Sequence, residues 1–300
     1  FGIGSTNVHV IVEEYEAPKN KESLNTKPLQ LLTWSAKSKN SLLGYENALG
    51  HFIDRSKNVT LADIAYSLNV TREDFNQRSF LIADSNEDAA EKLISLKTKN
   101  IKSSTLKSIP QEIGFLFPGQ GSQYIQMGKT LYDNEKVYRD AVDQCAELLM
   151  DDLELDIRSI LYPKENSADA EELLRNTRLT QPSLFVTEYA LSQLWQSWGI
   201  KPTFLCGHSI GEFAAAHLAG ILSLKDALHI VAVRGKLISQ LPGGAMLIVR
   251  VSVDQLKELI SQTLSIAAIN SNQFCVVAGK KEDIFLFNQV LDAKDIPNKL

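Results

Sequence analysis

Cysteine and positive charge are both scarce in this sequence, and each shortage excludes a class of protein. The three cysteines among the 300 residues, Cys145, Cys206 and Cys275, stand far apart, so neither a disulfide framework nor a zinc site is indicated. A reducing, cytoplasmic environment fits this pattern best. The 31 Lys and Arg residues are outnumbered by 36 Asp and Glu, and the net charge of -5 gives no electrostatic footprint for a nucleic acid.

Long apolar runs and early methionines are also missing. The longest nearly apolar run, from Ala214 to Leu224, is interrupted by His217 and reaches about half of the roughly 20 residues that span a bilayer. We therefore expect neither a transmembrane role nor a membrane partner. The chain begins at Phe1 and its first methionine is Met127, which leads us to expect a piece of a longer polypeptide.

Two polar stretches have the composition of linkers and divide the chain. They predict three parts: a tail at residues 1–16, a small α/β domain at 17–110 and a main domain at 111–300. In the tail, Val8, Val10 and Val12 alternate as on one face of a strand. The second polar linker is expected over residues 97–110.

The main domain alternates strand and helix patterns, which is typical of a mainly parallel sheet. The apolar runs Ile113–Phe117 and Phe204–Cys206 predict buried strands, and a helix is predicted over Pro182–Trp198. After Pro242–Gly244 the order becomes βαββα, which suggests a ferredoxin-like subdomain at 243–300 without its closing strand. We predict an α/β fold: a hydrolase-like parallel-sheet core with an inserted, truncated ferredoxin-like subdomain, preceded by a small α/β linker domain.

The strongest chemical signal is the run Gly207-His208-Ser209-Ile210-Gly211, directly after a strand and before a helix. This is the G-x-S-x-G nucleophile elbow in its required context. The glycines permit a sharp turn, the serine hydroxyl projects at the carboxyl end of the strand, and the helix N-terminus favours negative charge. The backbone N–H of Ile210 is expected to face a developing oxyanion. The alternative is an ordinary turn with a capping serine.

Ser209 needs a base, because an unassisted serine hydroxyl is a poor nucleophile. The histidines of the chain are His9, His51, His208, His217 and His229. His208 adjoins the serine, but neighbours at a sharp turn usually point apart, so it acts either as the base or as a packed ring that supports the elbow. His217 and His229 fall in helical patterns and are typical of satisfied core or surface residues. By elimination, we expect the base outside this chain.

The loop Phe117–Gln123 follows a buried strand that is parallel to the one before Ser209, so both loops can meet at one edge of the sheet. A second oxyanion donor is expected from this loop. Nucleotide binding is excluded by spacing. Gly121 and Gly128 are too far apart for a phosphate loop, and Tyr124 stands where a dinucleotide fingerprint has its third glycine.

Arg234 lies on the apolar face of a predicted helix. Its neighbours at three and four positions are Ile230, Val231, Leu237 and Ile238. A guanidinium there demands an anion, because a buried unpaired charge is costly. Two interpretations stay open, which are an internal ion pair with an acidic residue and a substrate carboxylate held by the two-pronged guanidinium.

Together these motifs resemble the acyltransferase domain of type I modular polyketide synthases, which is related to malonyl-CoA:acyl carrier protein transacylase. The matching segments follow in the family's order and are Phe115–Gln123, Gly207–Gly220, Arg234-Gly235 and Pro242–Met246. The residues up to about Ile109 resemble the linker domain between ketosynthase and acyltransferase. The first residues, Phe1–Glu14, resemble the C-terminal tail of the ketosynthase, with Ser5 where that family usually has glycine.

The resemblance implies a role for each matching residue. Ser209 matches the catalytic nucleophile that becomes a malonyl ester. Gln120 and Ile210 match the pair whose backbone N–H groups form the oxyanion hole. Arg234 matches the residue that grips the free carboxylate of the extender unit.

Further matches concern the substrate pocket and the neighbouring enzyme. Asn270 and Gln181 match substrate-binding residues of the pocket. His9 matches a catalytic histidine of the ketosynthase, which has no function without the rest of that domain. In the family, the histidine partner of the serine follows the ferredoxin-like strands, so we expect it shortly beyond Leu300.

The implied reaction is a ping-pong transfer without a bound cofactor or metal. The serine attacks malonyl-CoA, CoA leaves, and the phosphopantetheine thiol of an acyl carrier protein domain takes the acyl group. The expected partners are this carrier domain and an adjoining ketosynthase. Ile210 and the segment Leu179–Phe185 resemble the malonyl-selecting type rather than the methylmalonyl-selecting type.

Two other functions are compatible with the motifs. The same elbow serves serine hydrolases, including thioesterases, although a hydrolase of neutral esters has no use for a carboxylate clamp at Arg234. The other alternative is a non-catalytic linker or docking piece, because the base is expected outside the chain.

Overall fold

The computed structural model describes residues 9–14, 27–56, 58–95, 100–108, 112–165 and 167–300. The chain divides into two compact units, Phe1–Gln111 and Glu112–Leu300. Residues 9–14 contain no strand, and Val10 and Val12 are 70% and 88% exposed. The predicted strand is therefore wrong for these residues, because no neighbouring strand in the described ranges pairs with their backbone groups. Val8 lies outside the described residues.

The first unit has a three-stranded antiparallel sheet and three helices. Its elements are β1 (Gln30–Ala36), α1 (Lys39–Arg55), α2 (Leu61–Thr71), β2 (Gln77–Ala83), α3 (Asn86–Ile94) and β3 (Lys102–Thr105). Strand β2 lies between β1 and β3. The side chains of Ser38, Thr60 and Ser85 cap the three helices. Alternate strand residues such as Leu32 and Leu81 enter a shared core, as half-buried strands do.

Strand β3 corrects the interpretation of residues 97–110 as a linker. Residues 102–105 pair antiparallel with 77–80, although all four β3 side chains are exposed. The hydroxyls of Ser103 and Ser79 also share a hydrogen bond of 2.8 Å. Backbone hydrogen bonds hold such an edge strand whatever the polarity of its side chains, so the hydropathy pattern does not reveal it.

The second unit begins with a parallel strand pair and helices. These elements are β4 (Gly114–Phe117), α4 (Lys129–Asn134), α5 (Lys136–Leu153), α6 (Ile157–Leu161), α7 (Ala168–Arg175), α8 (Thr177–Ser197), β5 (Phe204–Gly207), α9 (Gly211–Leu218) and α10 (Leu224–Ser239). Strands β4 and β5 pair in parallel, which confirms the predicted parallel core. Fully buried side chains such as Tyr138, Leu149 and Phe185 join α5 and α8 in one apolar core.

Helix α8 packs against α5 and α10 and begins earlier than predicted. Asn176 caps it, since its side chain accepts a hydrogen bond from the N–H of Arg178 at 3.0 Å. The predicted start at Pro182 is wrong because burial of the surrounding residues outweighs the one backbone hydrogen bond that proline cannot donate. No helix in the described ranges, α8 included, is long and apolar enough to cross a bilayer.

The remaining strands form an antiparallel sheet with two helices. The elements are β6 (Gly244–Val249), α11 (Val253–Leu259), β7 (Ser265–Ser271), β8 (Phe274–Lys280), α12 (Lys281–Asp292) and β9 (Asn298–Lys299). The strand order β7-β8-β6-β9, with every neighbouring pair antiparallel, is ferredoxin-like as predicted. Strand β9 is the fourth strand, so the expectation that it is missing is wrong. Two residues are too few to carry an alternating pattern, and only their pairing with β6 reveals the strand.

Candidate active site

A sharp turn between β5 and α9 presents Ser209, which is exposed. Its φ of 54° lies in the left-handed region, which is strained for a residue with a side chain. The glycines two residues before and after Ser209 have no room for a side chain. A Cβ on Gly207 would lie 2.2 Å from the backbone N of Glu212, and one on Gly211 would lie 2.3 Å from the carbonyl O of Phe117. This geometry is typical of a nucleophile elbow.

The alternative of a capping serine does not match the start of α9. The residue at the N-cap position is Ile210, and no side chain caps the helix there. The carboxylate of Glu212 instead accepts a hydrogen bond from the N–H of Gly207 at 3.2 Å, which joins the two sides of the turn. Ser209 is therefore held in a tight turn while its hydroxyl is not used as a helix cap.

The loop after β4 lies directly against the elbow. The backbone N–H of His208 donates to the carbonyl O of Phe117 at 2.9 Å. A Cβ on Gly119 would lie 2.7 Å from Nδ1 of His208 and 3.4 Å from the Cβ of Ser209. The two loops thus meet at one edge of the parallel strand pair, as the sequence predicts.

The two predicted oxyanion donors lie on these adjoining loops. Within the described residues, the backbone N–H groups of Gln120 and Ile210 donate to no other protein group. Helix α9 begins directly after Ile210, and its N-terminus adds partial positive charge beside Ser209. The backbone N–H groups of both predicted donors are therefore unused, on loops that adjoin Ser209.

Arg234 is half-buried on α10 and forms no salt bridge in the described part of the chain. Its Nη1 donates a hydrogen bond of 2.6 Å to Oε1 of Gln181. The guanidinium carbon lies 6.0 Å from the ring centre of Phe213, on the first turn of α9. Of the two interpretations, the internal ion pair has no acidic partner among these residues, and the guanidinium keeps donors for an external anion.

Gln181 connects Arg234 to the loop Phe117–Gln123, which we call the oxyanion loop after its predicted role. It is 2% exposed, and its Nε2 donates to Oγ1 of Thr177 at 3.0 Å. The hydroxyl of Thr177 donates in turn to Oε1 of Gln120 at 3.0 Å. Helix α10 comes close to the start of α8 at Gly235, where a Cβ would lie 2.9 Å from the carbonyl O of Thr177. Four side chains from two helices and one loop therefore form a continuous line of hydrogen bonds, which we call the relay.

No histidine is bonded to Ser209 among the described residues. The Nδ1 of His217 lies 3.0 Å from a backbone carbonyl oxygen, and His229 pairs with Asp152 at 2.9 Å on the surface. These contacts confirm that both are structural or surface residues. His208 packs against the oxyanion loop without a hydrogen bond to its neighbour, as expected at a sharp turn.

Two predicted residues are not joined to the relay. Asn270 is exposed near the end of β7, and no hydrogen bond links it to another predicted site residue in the described ranges. His9 is exposed in the stretch of residues 9–14. The pocket role of Asn270 and the ketosynthase origin of His9 stay predictions.

Three contributors are not predicted from the sequence, namely Thr177, Glu212 and Phe213. Thr177 lies one helical turn before Gln181, and this spacing indicates a contact once the helix is known to begin at Thr177. Glu212 directly follows the elbow, but only the folded turn brings its carboxylate back to the backbone of the preceding strand.

A cavity of about 560 Å³ lies between β4 and α8, and the relay residues do not line it. Its mostly apolar lining includes Glu188, which is 7% exposed. Both carboxylate oxygens lack a hydrogen-bond partner among the described residues. Burial raises the pKa of Glu188 from its ordinary 4.5 to about 8. We assign this carboxyl group no part in the reaction.

Two known protein families match the chain. The family described as acyl transferase domain matches residues 114–299, and the family described as CurL-like, PKS C-terminal matches residues 30–93. The first match covers more than half of the chain and includes the elbow, the oxyanion loop and the relay.

Curated relatives are much longer than this chain. Mycoketide-CoA synthase of Mycobacterium tuberculosis is 34% identical over 288 residues, which are 95% of this chain and 7% of that protein. The PKS-NRPS hybrid synthetase ATPKS of Aspergillus niger is 32% identical over 319 residues, covering 100% of this chain and 17% of that protein. The chain thus spans less than a fifth of either relative.

Solved structures agree with the family match. The acyl transferase domain of ZmaA has 36% sequence identity and a TM-score of 0.86, with 91% of this chain and 64% of that chain covered. The acyl transferase domain of SpnD, in complex with 2-(pent-4-yn-1-yl)malonyl, has 33% identity and a TM-score of 0.79, covering 92% and 65%. These likenesses confirm the α/β fold class.

Proposed function

This chain belongs to the acyltransferase family of type I polyketide synthases, and from that membership we propose that it loads a malonyl-type extender unit onto a carrier protein. The acyl group comes from malonyl-CoA, passes through an ester on Ser209, and ends on the phosphopantetheine thiol of an acyl carrier protein domain. The observation that carries this proposal is the strained elbow beside unused backbone donors. An arginine without an acidic partner among the described residues is connected to the same loop.

In the first half of the proposed reaction, Oγ of Ser209 attacks the thioester carbonyl of malonyl-CoA. The hydroxyl proton passes to a base, which in this proposal is the histidine expected after Leu300. The backbone N–H groups of Gln120 and Ile210 stabilise the tetrahedral oxyanion, and loss of one such donor costs roughly 10²- to 10³-fold in rate. The C–S bond then breaks, CoA leaves as its thiol, and the malonyl ester remains on Ser209.

In the second half, the pantetheine thiol of the carrier domain attacks the ester carbonyl and loses its proton to the same base. The C–O bond breaks, and Ser209 recovers its proton. A serine hydrolase follows the same path with water in place of the thiol. The two functions therefore differ only in which nucleophile reaches the ester, and this is the comparison that separates them.

Arg234 supplies selectivity in this proposal. A hydrogen bond to a charged group is worth roughly 1.5 to 3 kcal/mol, so a guanidinium that holds the malonyl carboxylate favours malonyl over acetyl by about ten- to a hundredfold. Malonyl is proposed over methylmalonyl because Ile210 and the segment Leu179–Phe185 resemble the malonyl-selecting type. Gln181 is proposed to hold the guanidinium, and Asn270 to line the pocket.

The partners follow from the same proposal. Malonyl-CoA is the acyl donor, and phosphopantetheine on an acyl carrier protein domain is the acceptor. The match of residues 30–93 to a polyketide synthase region supports an adjoining ketosynthase as a neighbour in the intact protein. We propose no bound cofactor and no metal.

Intact mass spectrometry tests the proposal on a longer polypeptide that extends past Leu300 and includes the expected histidine, after mixing with malonyl-, methylmalonyl- or acetyl-CoA. We expect a malonyl adduct that is absent in Ser209→Ala and is replaced by indiscriminate acyl transfer in Arg234→Ala. Arg175→Ala is the matched control, because this exposed arginine lies on α7 outside the site and should leave selectivity unchanged. Absence of any adduct favours the non-catalytic alternative. Loss of the acyl group to water rather than to a pantetheine thiol favours the hydrolase.

A further inference from the structure

The charge of Arg234 sets the orientation of the Gln181 amide in the relay. Arg234 can only donate, so Gln181 must present Oε1 to it and therefore turns Nε2 toward Thr177. The oxygen of Thr177 then accepts from Gln181, and its hydroxyl proton is left for Oε1 of Gln120. The three hydrogen bonds of the relay thus run in one direction, from Arg234 to Gln120, and aligned hydrogen bonds polarise one another.

Thr177 connects the two parts of the relay. Its side chain bonds both to Gln181, which holds Arg234, and to Gln120 on the loop beside the elbow. Gln181 is almost completely buried, whereas the hydrogen bond from the half-buried Thr177 to the exposed side chain of Gln120 lies at the surface. The close approach of α10 at Gly235 brings Arg234 to the same turn of α8 and keeps the three elements in register.

We propose that Thr177 is a positioning residue that couples the carboxylate-binding guanidinium of Arg234 to the oxyanion loop at Gln120. This inference rests on the proposed function and extends it. An acyl group with a free carboxylate engages Arg234, and the relay transmits that engagement to the loop that stabilises the oxyanion. Selectivity is thereby expressed in the rate of ester formation as well as in binding.

The test measures the rate of ester formation on Ser209 in the intact protein by rapid quench and mass spectrometry, with malonyl-CoA and with acetyl-CoA. Thr177→Val keeps the side-chain shape and removes the hydroxyl. We expect its maximal rate with malonyl-CoA to fall about fivefold to tenfold, with a smaller change in the half-saturating concentration and a loss under twofold with acetyl-CoA. Thr177→Ser keeps the hydroxyl and should restore the malonyl rate.

A double-mutant cycle with Arg234→Ala tests the coupling itself. In the Arg234→Ala background, Thr177→Val should cost less than twofold, because no guanidinium remains to be positioned. Thr187→Val is the matched control on the same helix, since the hydroxyl of Thr187 donates to the backbone carbonyl of Ser183 and lies outside the relay. This control should leave the malonyl-to-acetyl ratio unchanged.

The outcomes separate this inference from the proposed function. Equal losses with malonyl-CoA and acetyl-CoA, or a full effect of Thr177→Val in the Arg234→Ala background, would overturn the coupling while leaving the acyltransfer intact. A malonyl rate unchanged in Thr177→Val would also overturn it. Failure of the unmodified protein to form any ester overturns both the proposed function and the coupling.

Discussion

Two buried polar residues of α8, Gln181 and Glu188, differ in whether their side chains have hydrogen-bond partners. Near the start of the helix, Gln181 is 2% exposed, and both ends of its amide are hydrogen-bonded. Two turns later, Glu188 is 7% exposed, and neither carboxylate oxygen has a partner in the described part of the chain. A neutral amide is satisfied by two neighbours, whereas a buried carboxyl group without donors stays protonated. The difference teaches that burial does not by itself mark a polar residue as functional, because the partners decide.

The largest expected effect concerns Glu188, the buried side chain without hydrogen-bond partners among the described residues. A carboxyl group whose pKa is higher in the folded than in the unfolded state reduces stability as pH rises, because the unfolded chain ionises first. For Glu188 this loss begins near the ordinary pKa of 4.5 and levels off above about 8. We expect Glu188→Gln to stabilise the protein by about 4 kcal/mol at pH 8 and to leave it unchanged at pH 4. Urea unfolding at both pH values measures this.

Glu172→Gln is the matched control, because Glu172 is exposed on α7 and should leave the free energy of unfolding nearly unchanged at both pH values. If Glu188→Gln kept the pH dependence of the unmodified protein, Glu188 would have a donor in solution, and the contrast between Gln181 and Glu188 would disappear.

The next largest effect concerns Gln181, the buried side chain whose amide is hydrogen-bonded at both ends. Gln181→Leu removes the hydrogen bond to Arg234 and leaves the hydroxyl of Thr177 without its donor. We expect ester formation with malonyl-CoA to fall by about ten- to a hundredfold, because a hydrogen bond to a charged group is lost, and acetyl-CoA to be affected much less. Rapid quench followed by mass spectrometry of the acyl-enzyme measures both rates.

The half-buried Gln193 on the same helix provides the control, and Gln193→Leu should change neither rate. Equal losses for both acyl groups in Gln181→Leu would contradict the contrast, since they would assign Gln181 to general packing rather than to the guanidinium.

The smallest expected effect concerns the cap at the start of α8, close to Gln181. The turn that carries Thr177 and Gln181 forms because Asn176 caps α8 before Pro182. Asn176→Ala should lower the free energy of unfolding by about 1 kcal/mol, whereas Asn176→Asp keeps the cap and favours the helix dipole. Thermal unfolding of the three proteins measures this, and an alanine variant as stable as the aspartate variant would show that packing alone starts the helix.

Local sequence patterns predict the elbow and the loop that lies against it. The strand, the G-x-S-x-G turn and the helix after it are contiguous, so Ser209 and Ile210 are predicted together with their backbone geometry. The predicted parallel strands also bring the loop of Gln120 to the elbow. Each of these relations depends on neighbours in the sequence or on one strand pair.

The hydropathy pattern does not predict elements that depend on backbone pairing, nor does it locate the start of α8. Strands β3 and β9 are polar or very short and are defined only by the strands they join. The sequence pattern predicts the start of α8 at Pro182, which leaves Thr177 outside the helix, whereas the structure begins the helix at Thr177.

What the sequence determined by itself is the local chemistry: a serine in a turn that only glycines can flank, a strand before it, a helix after it and an arginine on an apolar helix face. What only the tertiary structure decided is the choice of partners. Arg234 and Gln181 are far apart in the chain, and the same guanidinium on the same apolar face was equally compatible with an internal ion pair. Hydrogen bonds act over about 3 Å, so the partner of the half-buried guanidinium is set by how helices pack against each other, which no short-range pattern of residues encodes.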